Sequence, residues 1–508
     1  MKFKKVESIM IVILLLGVVV SAVQGVGCPT GCTCNDDTYV VHCERSKLDV
    51  IPITLNPAIQ RLILRNNKIK TVDAAFQFYR DLQYVDLSSN HLVNIPIKSF
   101  IHQEKLQELH LNKNKLSSIN NTTFQGLESL TVLNLRENFL EDLPRGIFMV
   151  LSKLEELNLG QNRISQIDVH AFDGLSALRV LYLDDNLLSF IPTSSFSLLS
   201  SLAELHIGLN AFSVLPDNGF DGLKKLSVLD LNGAGLSNIT DDAFKGLGSL
   251  RSLNLAGNML KNIPTKQMEH LSRLEELYIG QNDFTIIPSN SLKKLVNLRK
   301  FDVTGATHLK KIEKGVFNLN VETIILTNNR ELEVMEDGAL TGLPKLRHLI
   351  LKENNFKTFS ETWLAWNELK TLELSDNPIV CDCQLLWLAN LAQVKNLTSI
   401  QCASPKQLKE KQLRTLGADE LGCSFSDPRQ QAMLVTLSVS AVIFLGCLGL
   451  LLFRYRQRVR EAVKDYKWNK RAISRKEHEY QKTFSDDDYI IRSAGIHHNS
   501  KPIPVTEL

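Results

Sequence analysis

Leu154-Glu-Glu-Leu157-Asn-Leu159-Gly-Gln-Asn162-Arg-Ile164 is the stretch that decides how this chain folds. Its Leu157-Asn-Leu159 core alternates, which predicts a short strand with both leucines on one face and the residue between them on the other. The pattern, L-x-x-L-x-L-x-x-N-x-L, starts at Ile59 and repeats. Its asparagine position falls at Asn67, Asn90, Asn114, Asn138, Asn162, Asn186, Asn210, Ala234, Asn258, Asn282, Ala306, Asn329, Asn354 and Asn377. The steps are 23, then nine of 24, then 23, 25 and 23 residues, so fourteen units stay in register. Composition follows from the repeat: 82 of 508 residues are Leu, and 22 Phe outnumber 9 Tyr and 4 Trp. A prior of ~150 residues per domain would give about three domains. Repetition at this period predicts one quasi-linear body instead. The net charge of +3 leaves no footprint for nucleic acid, and 22% charged with 44% hydrophobic residues argues against a disordered or many-spanning chain.

The pattern resembles the leucine-rich repeat. That resemblance implies an α/β repeat solenoid, a horseshoe lined on its concave face by a parallel sheet, with repeats over 59–376 between an N-terminal Cys cap at 26–58 and a C-terminal Cys cap at 377–425. Asparagine suits its position because it can satisfy buried backbone groups where the chain turns away from the strand. Ala234 and Ala306 should lose that contact, and Leu309 comes one place late, so 300–335 reads as an irregular stretch with locally changed curvature. Phe76, Phe100, Phe124, Phe148, Phe172, Phe196, Phe220, Phe244 and Phe317 recur on the far side of the unit and should stack into an internal spine.

A solenoid has two open ends that would expose its leucines. Cys28, Cys32, Cys34 and Cys43 precede the first unit; Cys381, Cys383, Cys402 and Cys423 follow the last. They resemble the disulfide caps of extracellular leucine-rich proteins. Family pairing would join Cys28 to Cys34, Cys32 to Cys43, Cys381 to Cys402 and Cys383 to Cys423, while sequence alone allows three pairings per cap. Zinc is the competing reading, disfavoured by the secretory route. In the C-terminal cap Asn377-Pro378 is followed by Ile379, where the family pattern has Trp.

Lys2, Lys4 and Lys5 precede the apolar stretch Ile9–Val20, the layout of a signal peptide over 1–25. A second apolar stretch, 432–453, has 22 residues without a charge and is long enough to span a bilayer after the linker 426–431. Ten Lys and Arg follow within the next 23 residues, which places the tail 454–508 in the cytoplasm and the N-terminus outside. The expectation is a type I plasma-membrane protein with a mostly disordered tail. Cys447, the odd cysteine, falls in the span. N-x-[ST] sequons at Asn120, Asn121, Asn238 and Asn396 are candidate glycosylation sites, and the first three should lie off the concave sheet.

No catalytic constellation, cofactor motif or metal-ligand spacing stands out, so an enzyme is not expected and function has to come from surfaces. The row of central outward positions contains Tyr182, His206, Asp230, Asn254 and Tyr278, and this is the candidate ligand face. Gly160, Gly208, Ala256 and Gly280 beside it should leave troughs around the tyrosines, which suits a protein interface anchored by aromatics. The C-terminal Thr506-Glu507-Leu508 resembles a PDZ-domain ligand, which adds as a strand to a sheet edge. Asp486, Tyr489, Ile490 and Ile491 resemble a trafficking signal with a phosphorylatable tyrosine. The whole resembles animal type I proteins of the Slit-like and neuronal leucine-rich group. That implies a receptor or adhesion protein with an extracellular protein ligand or a homophilic partner, and a scaffold inside. A co-receptor controlling another receptor's signalling or endocytosis, and innate recognition of microbial ligands, are the alternatives.

Overall fold

Each L-x-L core forms a strand of three to five residues, and stacking these strands buries every leucine pair; Leu157, Leu159, Leu181 and Leu183 are completely buried. The computed structural model describes residues 27–72, 74–423, 428–456 and 460–471. Among them, sixteen strands form one continuous sheet. It starts with an antiparallel hairpin, Thr33–Asn35 with Val40–His42, and continues as fourteen repeat strands from Arg61–Ile63 to Thr371–Glu373, all parallel. Adjacent repeats pair without offset, as in Tyr182 opposite His206 and His206 opposite Asp230. The opposite side of the coil is made of turns, two-residue strands such as Val214–Leu215 beside Asn238–Ile239, and single helical turns such as Thr193–Phe196.

The asparagines form a ladder inside the coil. Asn138 Nδ2 donates to the carbonyls of Leu135 in its own turn and Leu111 in the turn before, both at 3.0 Å, while its Oδ1 accepts the Leu116 N–H at 3.1 Å. Asn138 thus satisfies buried groups of two turns, and leaving one such group unpaired costs about 1–3 kcal/mol. The residue before the ladder position is left-handed at all fourteen turns, with φ between 49° and 76°. Three of these are glycines, and Leu209 is the one apolar side chain among the others.

Ala234 lacks the amide and its side-chain contact, as expected, but the backbone fills part of that role. Gly235 adopts a second left-handed conformation (φ 81°), which turns the Ala234 carbonyl to accept the Phe212 N–H at 2.8 Å in place of an asparagine oxygen. Around Ala306 the sheet is more extensively paired. Lys300–Thr304 and Thr323–Thr327 run five residues and pair over all five, and the Ala306 N–H donates to Asn329 Oδ1 at 2.8 Å. The phenylalanine spine is stacked from Phe124 through Phe148 and Phe172 to Phe196, with centroids 5.9–6.3 Å apart. Phe317 instead meets Phe301 edge-on at 5.6 Å.

At the N-terminal end, Cys28 bonds Cys34 and Cys32 bonds Cys43, with Cα separations of 5.8 and 4.2 Å. Cys43 is completely buried, so the hairpin closes over the first repeat. At the other end Cys381 bonds Cys402 (Cα–Cα 5.6 Å), and Cys383 and Cys423 are also disulfide-bonded. Helix Leu386–Val394 and an aromatic cluster that includes Trp363, Trp366 and Trp387 cover the last leucines, and Ile379 is buried where the family has Trp.

The chain divides after Leu421 into two units. The second contains a 27-residue helix, Pro428–Arg454, whose segment Ala432–Leu451 has a mean hydropathy of 2.4 and is long and apolar enough to cross a membrane. The expected signal peptide, the PDZ ligand (Thr506, Leu508) and the segment with Asp486, Tyr489, Ile490 and Ile491 lie outside the described residues.

Candidate functional site

Strand register sets the geometry of the concave face. Tyr182, His206, Asp230, Asn254 and Tyr278 lie in one row on five consecutive strands. The row is not uniform. Asp230 Oδ1 and Asn254 Oδ1 accept the N–H groups of Asn232 (2.9 Å) and Ala256 (3.0 Å), so both also brace the end of their own strand. Asn134 and Asn158 do the same for Arg136 and Gly160, both at 3.1 Å.

Tyr182 and His206 stack, with centroids 4.6 Å apart and planes 14° from parallel. His206 Nδ1 lies 3.7 Å from Asp230 and Nε2 lies 3.8 Å from Glu204; Nε2 is shielded from solvent and has no hydrogen-bond partner among the described residues. Glu156 and Glu204 sit opposite Val180 on its two neighbouring strands. Burial pushes the Tyr182 phenol above its ordinary value, and the charges of Glu156, Glu204 and Asp184 push it further. Arg136 Nη1 donates to both oxygens of Asp184, at 3.1 and 2.9 Å.

Tyr278 is held differently. Its hydroxyl donates to Glu276 at 2.9 Å and accepts from Lys300 Nζ at 3.0 Å, and that ammonium lies 4.8 Å from the ring centroid. Burial raises its phenol pKa, opposed by the Lys300 hydrogen bond. The Lys300 ammonium is itself raised, chiefly by that hydrogen bond.

Gly160, Gly208 and Gly280 do not leave open the space that the sequence suggested. Arg136 and Asp184, two turns apart, close their ion pair across Gly160, where a methyl group would lie 2.3 Å from Arg136 Nη1. Gly208 and Gly280 are buried against the next turn of backbone: a methyl there would lie 2.3 Å from the Asn232 carbonyl oxygen and 2.1 Å from that of Thr304. They are small because two backbones approach closely.

Sequence reading followed only the central row and missed its flanks: Glu156, Glu204, Asp184, Arg136, Glu276 and Lys300. The signal was available, since each flanking residue recurs two positions before or after the central one. Away from this face, Asn120, Asn121, Asn238 and Asn396 are all exposed, and Asn238 belongs to an outer two-residue strand. The C-terminal cap has an open cavity of about 500 Å³ lined by Trp366, Trp387, Asn367, Asn390 and Glu361. Among the described residues, no group of three or more His, Cys, Asp or Glu is arranged to hold a metal.

Parallel strands in unbroken register, an asparagine ladder and disulfides at both ends define a capped solenoid, and the chain belongs to the leucine-rich repeat family. The family model described as "Leucine rich repeat" matches residues 80–140, 128–188, 176–236, 225–284, 249–309 and 320–379. The chain is similar to human Reticulon-4 receptor-like 2, with 36% identity over 114 residues, 22% of this chain and 27% of that protein. It is also similar to human Chondroadherin, with 32% identity over 116 residues, 23% of this chain and 32% of that protein. The matches span about a third or less of either relative's length. A solved structure titled as the Toll–Spatzle complex, a hub in Drosophila development and innate immunity, shares the fold with TM-score 0.57 and 19% identity, over 73% of this chain and 62% of that one. This is a leucine-rich repeat protein of the extracellular, cysteine-capped type, and its disulfides and apolar helix place it among secreted or membrane proteins.

Proposed function

We propose that this chain is a single-pass type I receptor or adhesion protein that binds a protein partner on its concave sheet and is linked inside the cell, through Thr506 and Leu508, to a PDZ scaffold. The observation that carries the reading is the stacked Tyr182–His206 pair, with Glu156 and Glu204 beside it. Aromatic rings with little conformational freedom dominate interface energetics. All four sequons stand on exposed positions outside the repeat strands, so glycans would leave the sheet open. Similarity to a protein named as a receptor and to chondroadherin supports a role outside the cell without chemistry of its own. The apolar helix followed by a basic run supports the type I orientation.

A cell-aggregation assay tests this. Cells carrying the full chain are mixed with each other and with non-expressing cells; clustering among themselves identifies a homophilic partner, and clustering only across populations a partner in trans. Tyr182→Ala should reduce clustering while surface staining stays unchanged. Full clustering by that variant would overturn the concave face as the binding surface, and no clustering by the unaltered chain would replace adhesion with the co-receptor reading.

A further inference from the structure

Three tyrosines stand in the repeat strands, and two of them carry a cation supplied by this chain. The Arg61 guanidinium lies 4.1 Å from the Tyr84 centroid, and the Lys300 ammonium 4.8 Å from that of Tyr278. Both arrangements use a residue on the neighbouring strand, two positions off the register partner of the tyrosine or directly opposite it. Among the described residues no Lys or Arg lies over Tyr182. The position that holds Lys300 beside Tyr278 holds Glu204 beside Tyr182, since each stands opposite the residue two before its tyrosine, on the strand that follows. The Tyr278 site is complete, with ring, carboxylate and ammonium. The Tyr182 site has the ring and carboxylates and lacks the cation.

Two further observations give that site its shape. Glu156 and Glu204 flank Val180, so their backbones stand roughly 10 Å apart across two strand spacings, with Tyr182 and His206 at one end of the gap. The Glu156 carboxylate makes no hydrogen bond or ion pair among the described residues, and the Glu204 carboxylate reaches only His206, at 3.8 Å. The nearest cation, Arg136, is committed to Asp184. We infer that the partner bound by the concave face, on the reading proposed above, is a polypeptide that inserts an arginine side chain over Val180, its guanidinium hydrogen-bonded to Glu156 and Glu204 and lying beside the Tyr182 ring, one face of which His206 covers. Arginine fits better than lysine because a planar fork reaches two carboxylates together, whereas an ammonium is a single point charge.

The test uses the full chain in nanodiscs of phosphatidylcholine alone, so that the lipid offers no net negative charge. Fluorescein-labelled octa-arginine and its neutral isostere octa-citrulline are titrated at physiological salt and read by anisotropy. Octa-arginine should bind at least about tenfold more tightly than octa-citrulline, and the pair Glu156→Gln, Glu204→Gln should remove about tenfold of that affinity. The pair Glu104→Gln, Glu128→Gln, which removes the same charge from exposed positions outside the sheet, should change it by less than about twofold. Absence of octa-arginine binding, parity with octa-citrulline, or equal losses from the two glutamate pairs would each overturn the assignment. The cell assay separates this from the broader reading: if Tyr182→Ala stops clustering while octa-arginine shows no preference, the concave face stands and the arginine falls. If octa-arginine binds as expected while Tyr182→Ala cells cluster fully, the concave face is not where the adhesion partner binds.

Discussion

Val180–His206 and Glu276–Asp302 are the same stretch of solenoid four turns apart, and position by position they differ in who satisfies the tyrosine. Val180 stands where Glu276 does, Glu204 where Lys300 does, and His206 where Asp302 does. At the later site Tyr278 bonds to both Glu276 and Lys300, so the phenol is fully engaged by its own chain. At the earlier site the ring has a histidine beneath it and carboxylates beside it, with no internal cation. The backbone register is identical, so the difference lies in side chains alone. It teaches that one repeat position serves as internal architecture in one turn and as an open surface in another, and that its neighbours decide which.

The largest effect is expected where the two sites share a constraint. Gly208→Ala and Gly280→Ala each drive a methyl group into the carbonyl of the next turn, at 2.3 and 2.1 Å. Neither backbone can retreat without opening the sheet, so each change should cost about 3 kcal/mol, the upper part of the overpacking range. Chemical unfolding of the full chain in detergent, followed by circular dichroism, measures this; a loss below about 0.5 kcal/mol would show that the sheet accommodates the methyl groups. Next in size is Glu204→Lys, which copies the cation of the later site onto the earlier one. The new ammonium should cap Tyr182 and lower octa-arginine affinity by about tenfold, or about 1.4 kcal/mol, with stability unchanged. Undiminished binding would mean that the two sites differ in more than their cation.

The repeat period, the caps and the phenylalanine spine were legible because each depends on residues recurring in register, and strand pairing follows directly from that register. Two kinds of feature were not. Compensation at Ala234 runs through the φ of Gly235, a backbone property that the absent asparagine does not reveal. The small residues at 160, 208 and 280 look alike in sequence, yet one accommodates an ion pair and two accommodate a backbone, because the distance to the next turn is a tertiary quantity. The candidate face was half legible: the row of Tyr182, His206 and Tyr278 was found, while Glu156, Glu204 and Lys300, which set its chemistry, lie beside that row and act only across strands.

A titration sharpens the contrast without touching the fold. Burial, the largest cause at both tyrosines, raises the two phenols above the ordinary value of about 10. The Lys300 hydrogen bond opposes that rise at Tyr278. Lys300→Met removes the opposing contact and leaves Glu276, which raises the phenol, so Tyr278 should titrate at still higher pH while Tyr182 stays where it is. Carbon-13 shifts of the tyrosine Cζ atoms read both groups in one experiment. A downward move of Tyr278, or none, would show that the ammonium does not hold the phenol in solution.

The smallest effect is expected at Gly160, and it separates the two roles of small residues most sharply. A methyl there meets the ends of the Arg136 and Asp184 side chains first, at 2.3 and 2.7 Å, rather than backbone. Both side chains remain partly exposed, 29% and 21%, so they can swing apart into water when the methyl arrives. An ion pair in that setting is worth about 0–1 kcal/mol, so Gly160→Ala should cost no more than that, a fraction of the loss at Gly280. Freed from Asp184, the Arg136 guanidinium, already the nearest internal cation, can turn toward Tyr182, and octa-arginine affinity should fall by less than about threefold as it competes. Thermal unfolding and the anisotropy titration measure the two quantities on one preparation. A stability loss as large as that of Gly280→Ala would mean that the Arg136–Asp184 pair is as rigid as the backbone, and that the concave face around Tyr182 is preorganised rather than free to adjust.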